Sequence, residues 1–306
     1  MTTGASDMPK SALRQLGGRI AYLRSVTGVD RLLRIADVGA NPVNVPDYKE
    51  LLDIGGCEVW GFEPEPEAFA ALQAQAGPNT HFVQRALGKT GRGMFYPHKS
   101  TGLGSLLKMD ERSVSYLGRP GWFANQGAGV EIDLIALDDI PRDELPRPDV
   151  LKMDIQGSEL DVLEHGRDTL SEAVAVIPEV RFAQMYANEP MWAEVDLELR
   201  DQGFVLHKMA AIKSVPLGNS MRSAMKTEHF RSQMLDGDAV YIRDPRDMDE
   251  WPEAQVAQLA IAAAGVFGSY DLVIACLDHL ATRGVLAPDV PKDFFNKLPK
   301  WMRKPA

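Results

Sequence analysis

An aspartate, a glycine and an asparagine stand together in Asp37-Val38-Gly39-Ala40-Asn41, at the end of the apolar run that begins at Ile35. A glycine there lets the backbone approach a ligand closely or take a positive φ. A second acid, Glu63, ends the next apolar run, Val59 to Phe62, and Pro64 and Pro66 stiffen the exit. An acid in that place can accept two hydrogen bonds from a ribose diol. A dinucleotide site would want Gly-x-Gly-x-x-Gly to cradle a pyrophosphate at a helix N-terminus. Here Asn41 stands where the second glycine belongs, Pro42 follows it, and Asp37 would repel a pyrophosphate. The set suits a nucleoside that carries an ammonium group and hydroxyls.

The third chemistry-bearing stretch is Leu151 to Leu160, with Asp154 closing an apolar run and Gln156-Gly157 turning the chain. Lys152 is a charge inside that run and needs an acid partner, for which Glu179 and Glu159 are candidates. Asp154, Glu179 and the pair Asp138-Asp139 all fall at or after strand ends. Together they could form a carboxylate cluster for proton abstraction, or for an oxygen-ligated cation. The six histidines show no metal-ligating spacing. His98, His207 and His229 are candidate bases, though a packed or solvated imidazole accounts for each as well. Trp122, Phe123, Tyr186 and Trp192 are candidate cleft walls or plain core.

These residues need strands and turns to hold them. Apolar runs set strands at 34–38, 57–62, 80–86, 129–137, 149–154, 172–180, 204–210 and 239–244. Helical spacing sets helices at about 46–54, 65–76, 158–165 and 190–202. Ser158 with Asp161 reads as a capping-box-like start, and Gly203 as a stop. The pattern is α/β, with a mostly parallel sheet whose last two strands can pair antiparallel. Residues 88–128 are glycine-rich and poorly periodic, with a hairpin piece near Gly93–Tyr96; 213–236 read as irregular or partly helical. A leading helix over 11–33 is expected to be interrupted at Gly17-Gly18 and Gly28, and two amphipathic helices over 252–265 and 269–283. The chain thus divides into an N-terminal helical extension (1–33), a central domain (34–244) and a C-terminal helical extension (245–306), which would cap a cleft or form a homodimer interface.

A net charge of −10 argues against duplex nucleic acid as the main partner. The two cysteines, Cys57 and Cys276, form no CxxC pair and read as buried thiols in a reducing compartment. The sequence shows no membrane span and no signal peptide, so a cytoplasmic protein is expected.

Taken together, Asp37 to Asn41, Gly61 to Pro66 with Phe69, Ala86-Leu87-Gly88, Leu137-Asp138-Asp139 and Leu151 to Leu160 resemble the FkbM-type methyltransferases in order and spacing. That resemblance spans about residues 34–243. It implies a Rossmann-like seven-stranded sheet, mostly parallel with one antiparallel strand inserted. It also implies methyl transfer from S-adenosylmethionine to oxygen, often a hydroxyl of a sugar or a secondary metabolite, with S-adenosylhomocysteine as product. By matched position, Asp37, Gly39, Ala40 and Asn41 would line the methionine end of the cofactor. Glu63 and Pro64 would hold its ribose, Arg85 and Ala86 its adenine, and Asp154 with Gln156 would sit beside the ammonium and the acceptor. An alcohol must lose a proton, so Asp154 and Glu179, assisted by Lys152, are the catalytic candidates, with His98 and His207 in reserve. A metal on Asp154 and Glu179 is the alternative, and is not favoured. Two departures stand out: Pro42 with the insert that follows, and Gln156 where many members carry Glu. Two other functions compete: an NAD-linked oxidoreductase, against which the missing glycines count, and a methyltransferase-like protein that binds without turnover.

Overall fold

The computed structural model describes residues 9–41 and 45–304. The sequence features at Pro42 and in residues 1–8 lie outside them. From the amino end the chain runs α1 (Lys10–Thr27), β1 (Leu33–Val38), α2 (Lys49–Asp53), β2 (Cys57–Phe62), α3 (Pro66–Ala74), β3 (Thr80–Val83), β4 (Ala86–Leu87), β5 (Gly91–Phe95), α4 (Glu111–Tyr116) and α5 (Pro120–Ala124). It continues through β6 (Val130–Ile135), β7 (Val150–Met153), α6 (Glu159–Glu164), β8 (Ala175–Arg181), α7 (Trp192–Asp201), β9 (Phe204–Val215), β10 (Gln233–Arg243), α8 (Glu253–Gly265), α9 (Tyr270–Thr282) and α10 (Val290–Phe295).

Seven strands form the main sheet, in the order β3-β2-β1-β7-β8-β10-β9. The β3-β2-β1-β7-β8 pairings are parallel, and β10 lies antiparallel between β8 and β9. This is the Rossmann-like class I methyltransferase arrangement. Each central strand is apolar on both faces, because alternate side chains point to opposite layers. Leu33 and Ile35 of β1 join one core with α1, α8, α9 and α10. Ala36 and Val38 join the other, with α6 and α7.

Four expectations needed revision. The helix α1 runs unbroken through Gly17-Gly18 and stops at Gly28, whose φ is 67° and whose N–H caps Arg24 O. Burying Leu16, Ile20 and Leu23 against the sheet layer outweighs roughly 1 kcal/mol of propensity lost per glycine. The expected third strand splits at Gln84: only Thr80–Val83 joins the main sheet, while β4 pairs with β6. The strand near 129–137 belongs to that second, three-stranded sheet, order β4-β6-β5. Its outward face carries Glu131 and Asp133, both bonded to Arg92 of β5, so it could not sit in a sheet covered on both faces. Residues 213–236 are less irregular than expected, because β9 runs on to Val215 and β10 starts at Gln233.

The C-terminal segment is part of the core. Val256 to Gly265 of α8 are all buried, as expected for a helix enclosed on all sides. Together with α1, it covers one face of the sheet. None of the described residues 245–304 lines the cleft described below. Among the described residues no helix is long and apolar enough to cross a membrane.

Candidate active site

The tips of β1, β2 and β7 are tied together by backbone. Gly39 N and Ala40 N both donate to Phe62 O (2.9 and 3.1 Å), and Asp154 N donates to Val38 O (3.0 Å). Gly39 has φ +84°, and a Cβ there would lie 2.2 Å from Asp154 O. Only glycine fits, for reasons of both conformation and space. Above these tips opens a cleft of about 810 Å³ of empty space, part of it open solvent.

Its floor carries Gly39, Asn41, Glu63, Glu65, Asp154 and Gln156. Pro64, Arg85 and Ala86 extend it along β2 and β4, and the opposite wall is Phe95, Gly102 and Gly104 to Leu106. The polar floor is dominated by carboxylates. The one guanidinium on the lining, Arg85, donates to Glu144 Oε2 at 3.2 Å. Such a lining disfavours a pyrophosphate and suits an ammonium and a diol. Glu63 Oε1 accepts from Glu65 N (2.8 Å). Burial pushes the Glu63 carboxyl up to about 7, with the Glu65 and Asp37 charges adding to the rise.

Behind the floor lies a network of buried charges. Gln156, held at φ +59°, donates from Nε2 to Asp154 Oδ1 and to Glu179 Oε2, each at 2.8 Å. Its Oε1 accepts from Arg181 Nη2 at 2.8 Å. The Arg181 side chain is 2% exposed and pairs with Glu179, Glu189 and Asp236 at 2.6, 2.8 and 2.9 Å. Burial drives the Glu179 carboxyl well above its ordinary value, against the pull of Arg181. Burial likewise raises Glu159 to about 7, with Arg181 opposing. Glu159 accepts from Ile155 N and Gly157 N (3.0 and 2.9 Å), so it holds the turn. Ser158 makes no side-chain cap, contrary to the sequence reading.

The structure brings Asp154 and Glu179 together through Gln156, but Glu179 does not reach the cleft lining. Neither does Lys152, which pairs with neither expected acid. Its Nζ bonds Asp238 Oδ1 at 3.1 Å, because β10, not an adjacent parallel strand, supplies the nearest carboxylate on that face. Burial opposes its charge, yet Asp154, Asp238, Asp37 and Asp47 together hold the ammonium above its ordinary value. Asp37 also lies off the lining: it is 6% exposed and accepts from Tyr48 Oη. Burial raises its carboxyl, with the Tyr48 bond and Lys152 opposing. Ala40 is buried beneath the tip.

The pair Asp138-Asp139 stays out of the cluster. Asp138 accepts from Thr169 N (2.7 Å), and Asp139 bonds the Thr90 hydroxyl. No histidine lines the cleft. His98 Nε2 donates to Trp122 O (3.0 Å) while Nδ1 accepts from Ser100 N (2.9 Å), and His207 bonds Ser269 Oγ (2.8 Å).

Sequence reading marked the unperiodic stretch 88–128 but singled out no residue of the wall at Phe95 and Gly102 to Leu106, and it missed Arg181. The wall sits in an unperiodic stretch with no motif. Arg181 did carry a signal, since a cation at the end of the largely apolar AVAVIPEV run raises the same question as Lys152.

Strand order and an acid-floored cleft at the β1, β2 and β7 tips define a class I methyltransferase. Comparison with known families gives the narrower answer: residues 37–206 match the Methyltransferase FkbM domain. The chain belongs to the FkbM methyltransferase family. It is similar to the 2-O-methyltransferase NoeI of Sinorhizobium fredii, 27% identical over 174 residues that cover 53% of this chain and 70% of that protein. Solved structures with a distant likeness include a magnesium protoporphyrin IX methyltransferase (ChlM) from Synechocystis with bound SAM, at 11% identity and TM-score 0.37, covering 76% of this chain and 80% of that one. Another is a precorrin-6y C5,15-methyltransferase from Geobacter metallireducens, at 13% identity and TM-score 0.34, covering 73% and 84%. The fold assignment rests on the strand order, not on these two.

Proposed function

We propose that the protein transfers a methyl group from S-adenosylmethionine to a hydroxyl oxygen of a small-molecule or glycan acceptor. The observation that carries this reading is Glu63, a half-buried acid on the lining at the β2 tip, beside the close passage of Gly39 over Asp154. A nucleoside with a free diol and an amino-acid ammonium fits that donor and acceptor set; a pyrophosphate does not. Glu63 would accept from the ribose hydroxyls, Gly39 and Asn41 would flank the methionine end, and Arg85 and Ala86 the adenine. When bound, the cofactor supplies a methyl carbon already activated by its sulfonium, so the protein's main task is alignment.

The acceptor would enter between Asp154 and the wall at Ser105 and Leu106. Asp154 is the carboxylate on the lining that faces this space, and we assign it the proton of the acceptor hydroxyl. Gln156 orients Asp154. Glu179 and Lys152 act from behind, as positioning groups. A metal on Asp154 and Glu179 is disfavoured because Gln156 Nε2 already engages an oxygen of each, and Arg181 shares the Glu179 oxygen. Treatment with a chelator should leave turnover unchanged. The relative named as a 2-O-methyltransferase supports oxygen as the acceptor atom.

The test is calorimetry with S-adenosylhomocysteine on the wild type and on Glu63→Ala, paired with a product assay on sugar acceptors. Unchanged affinity in the variant removes the ribose assignment. Absence of S-adenosylhomocysteine formation with every hydroxylated acceptor, despite tight cofactor binding, would favour a non-catalytic binding protein.

A further inference from the structure

The arm between β9 and β10, residues 216–232, lies on the same edge of the sheet as the cleft, because β9 runs parallel to β8 and ends there. Its composition departs from the rest of a chain whose net charge is −10. Arg222, Lys226 and Arg231 face a single acid, Glu228. Gly218 N donates to Tyr116 O (2.9 Å), which docks the arm on the turn after α4 and brings it beside Arg119. Arg119, Arg222 and Arg231 lie close enough that Arg222 and Arg231 add to the desolvation that lowers the Arg119 pKa.

Elsewhere exposed arginines find carboxylates, as Arg142 and Arg147 do with Asp168 and Arg167 does with Glu198. Among the described residues, Arg119, Arg222, Lys226 and Arg231 have no ion pair. Large apolar side chains are exposed in the same arm: Met221 at 62% and Phe230 at 48%. Repelled cations and exposed apolar groups both cost free energy in water. One surface relieves both costs: a bilayer with anionic headgroups, which takes cations at its surface and apolar side chains at the headgroup–acyl boundary.

We infer that the 216–232 arm docks the protein on an anionic lipid surface, through Arg119, Arg222, Lys226 and Arg231 with Met221 and Phe230 inserted. The acidic remainder of the chain is repelled by the same surface, so one face is presented. The cleft edge is then turned toward the bilayer, where a lipid-borne acceptor would lie. Docking does not depend on the methyl-transfer reading, and it can be tested without an acceptor.

The experiment is co-sedimentation of the full chain with phosphatidylglycerol–phosphatidylcholine vesicles and with phosphatidylcholine vesicles alone. Binding is expected to the first and not to the second, and salt at about 0.5 M should remove most of it. Two variants, Arg222→Glu with Arg231→Glu and Met221→Ser with Phe230→Ser, should each reduce binding at least tenfold. Arg92→Glu, on the exposed face of the small sheet, should not, and circular dichroism checks that all fold. No binding to phosphatidylglycerol vesicles, or binding that survives either double substitution in a folded protein, overturns the inference. So does displacement by inorganic phosphate beyond that by chloride at equal ionic strength, which would mark a small-anion site instead.

Discussion

The floor and the wall of the cleft are built by different means. The floor is strand tip: β1, β2 and β7 share backbone bonds at Gly39, Ala40 and Asp154, and Arg181 with its carboxylates locks Gln156 behind them. The wall, Phe95 to Leu106, holds one short 3₁₀ turn and isolated bridges, Tyr96 with Ser105 and His98 with Gln126. At its buried end the wall is tied to the floor by Ser105 Oγ, which donates to Gln156 O at 2.7 Å. A floor fixed by the sheet suits a cofactor that is the same for every acceptor, whereas a wall held by few bonds can be reshaped without disturbing the sheet. Cofactor binding should therefore depend on the floor and acceptor choice on the wall.

The largest effect should follow from Arg181→Met. It leaves Glu179 and Glu189 buried without their cation, and Asp236 with Lys213 alone, and should cost about 3–5 kcal/mol, read by thermal or denaturant unfolding. A loss under about 1 kcal/mol would mean that the floor does not need this support. Next is Gly39→Ala, where the positive φ and the 2.2 Å approach to Asp154 O both oppose a Cβ. A cost of about 2 kcal/mol or more is expected, with calorimetric binding of S-adenosylhomocysteine lost. Retained binding would show that the tips are softer than their geometry implies.

The third effect concerns pH. The Glu63 carboxyl, pushed up to about 7, holds a proton below that pH and then accepts poorly from a diol. Cofactor affinity should fall as pH drops through 7, approaching about tenfold per unit, and Glu63→Gln should flatten the profile. Stability of the unliganded protein runs the other way. A carboxyl raised from 4.5 to about 7 on folding contributes stability that is complete below 4.5 and lost as pH rises through 7. A wild-type affinity that does not change with pH would remove Glu63 from the binding set. The smallest effect should be Ser105→Ala, about 1 kcal/mol. It is the one expected to move the acceptor KM more than the cofactor affinity, and equal shifts in both would merge wall and floor into one unit.

Much of the floor was legible before any fold was known. Gly39, Asn41, Glu63, Asp154 and Gln156 stand at the ends of apolar runs, and strand ends on one sheet edge must converge. Asp37 and Lys152 were read from the same runs but are not on the cleft lining. Alternation along a strand decides which side of the sheet a residue serves, and the terminal register cannot be set to one residue from an apolar run alone. The wall and the basic arm left no local period to read, and the strands read near Gly93–Tyr96 and 129–137 did not show that they pair apart from the main sheet, because such pairing depends on contacts between segments far apart in sequence.

The sequence by itself determined the α/β class, the family and the order of the strand-end residues, because apolar runs, turn glycines and terminal acids are local properties. Only the tertiary structure decided that Lys152 answers to Asp238 and that Arg181 holds Gln156 and three acids. It also decided that the last helices are core and that a basic arm without ion pairs among the described residues shares an edge with the cleft. Each of these turns on which groups desolvate one another across the sheet, and burial is a property of the packed chain.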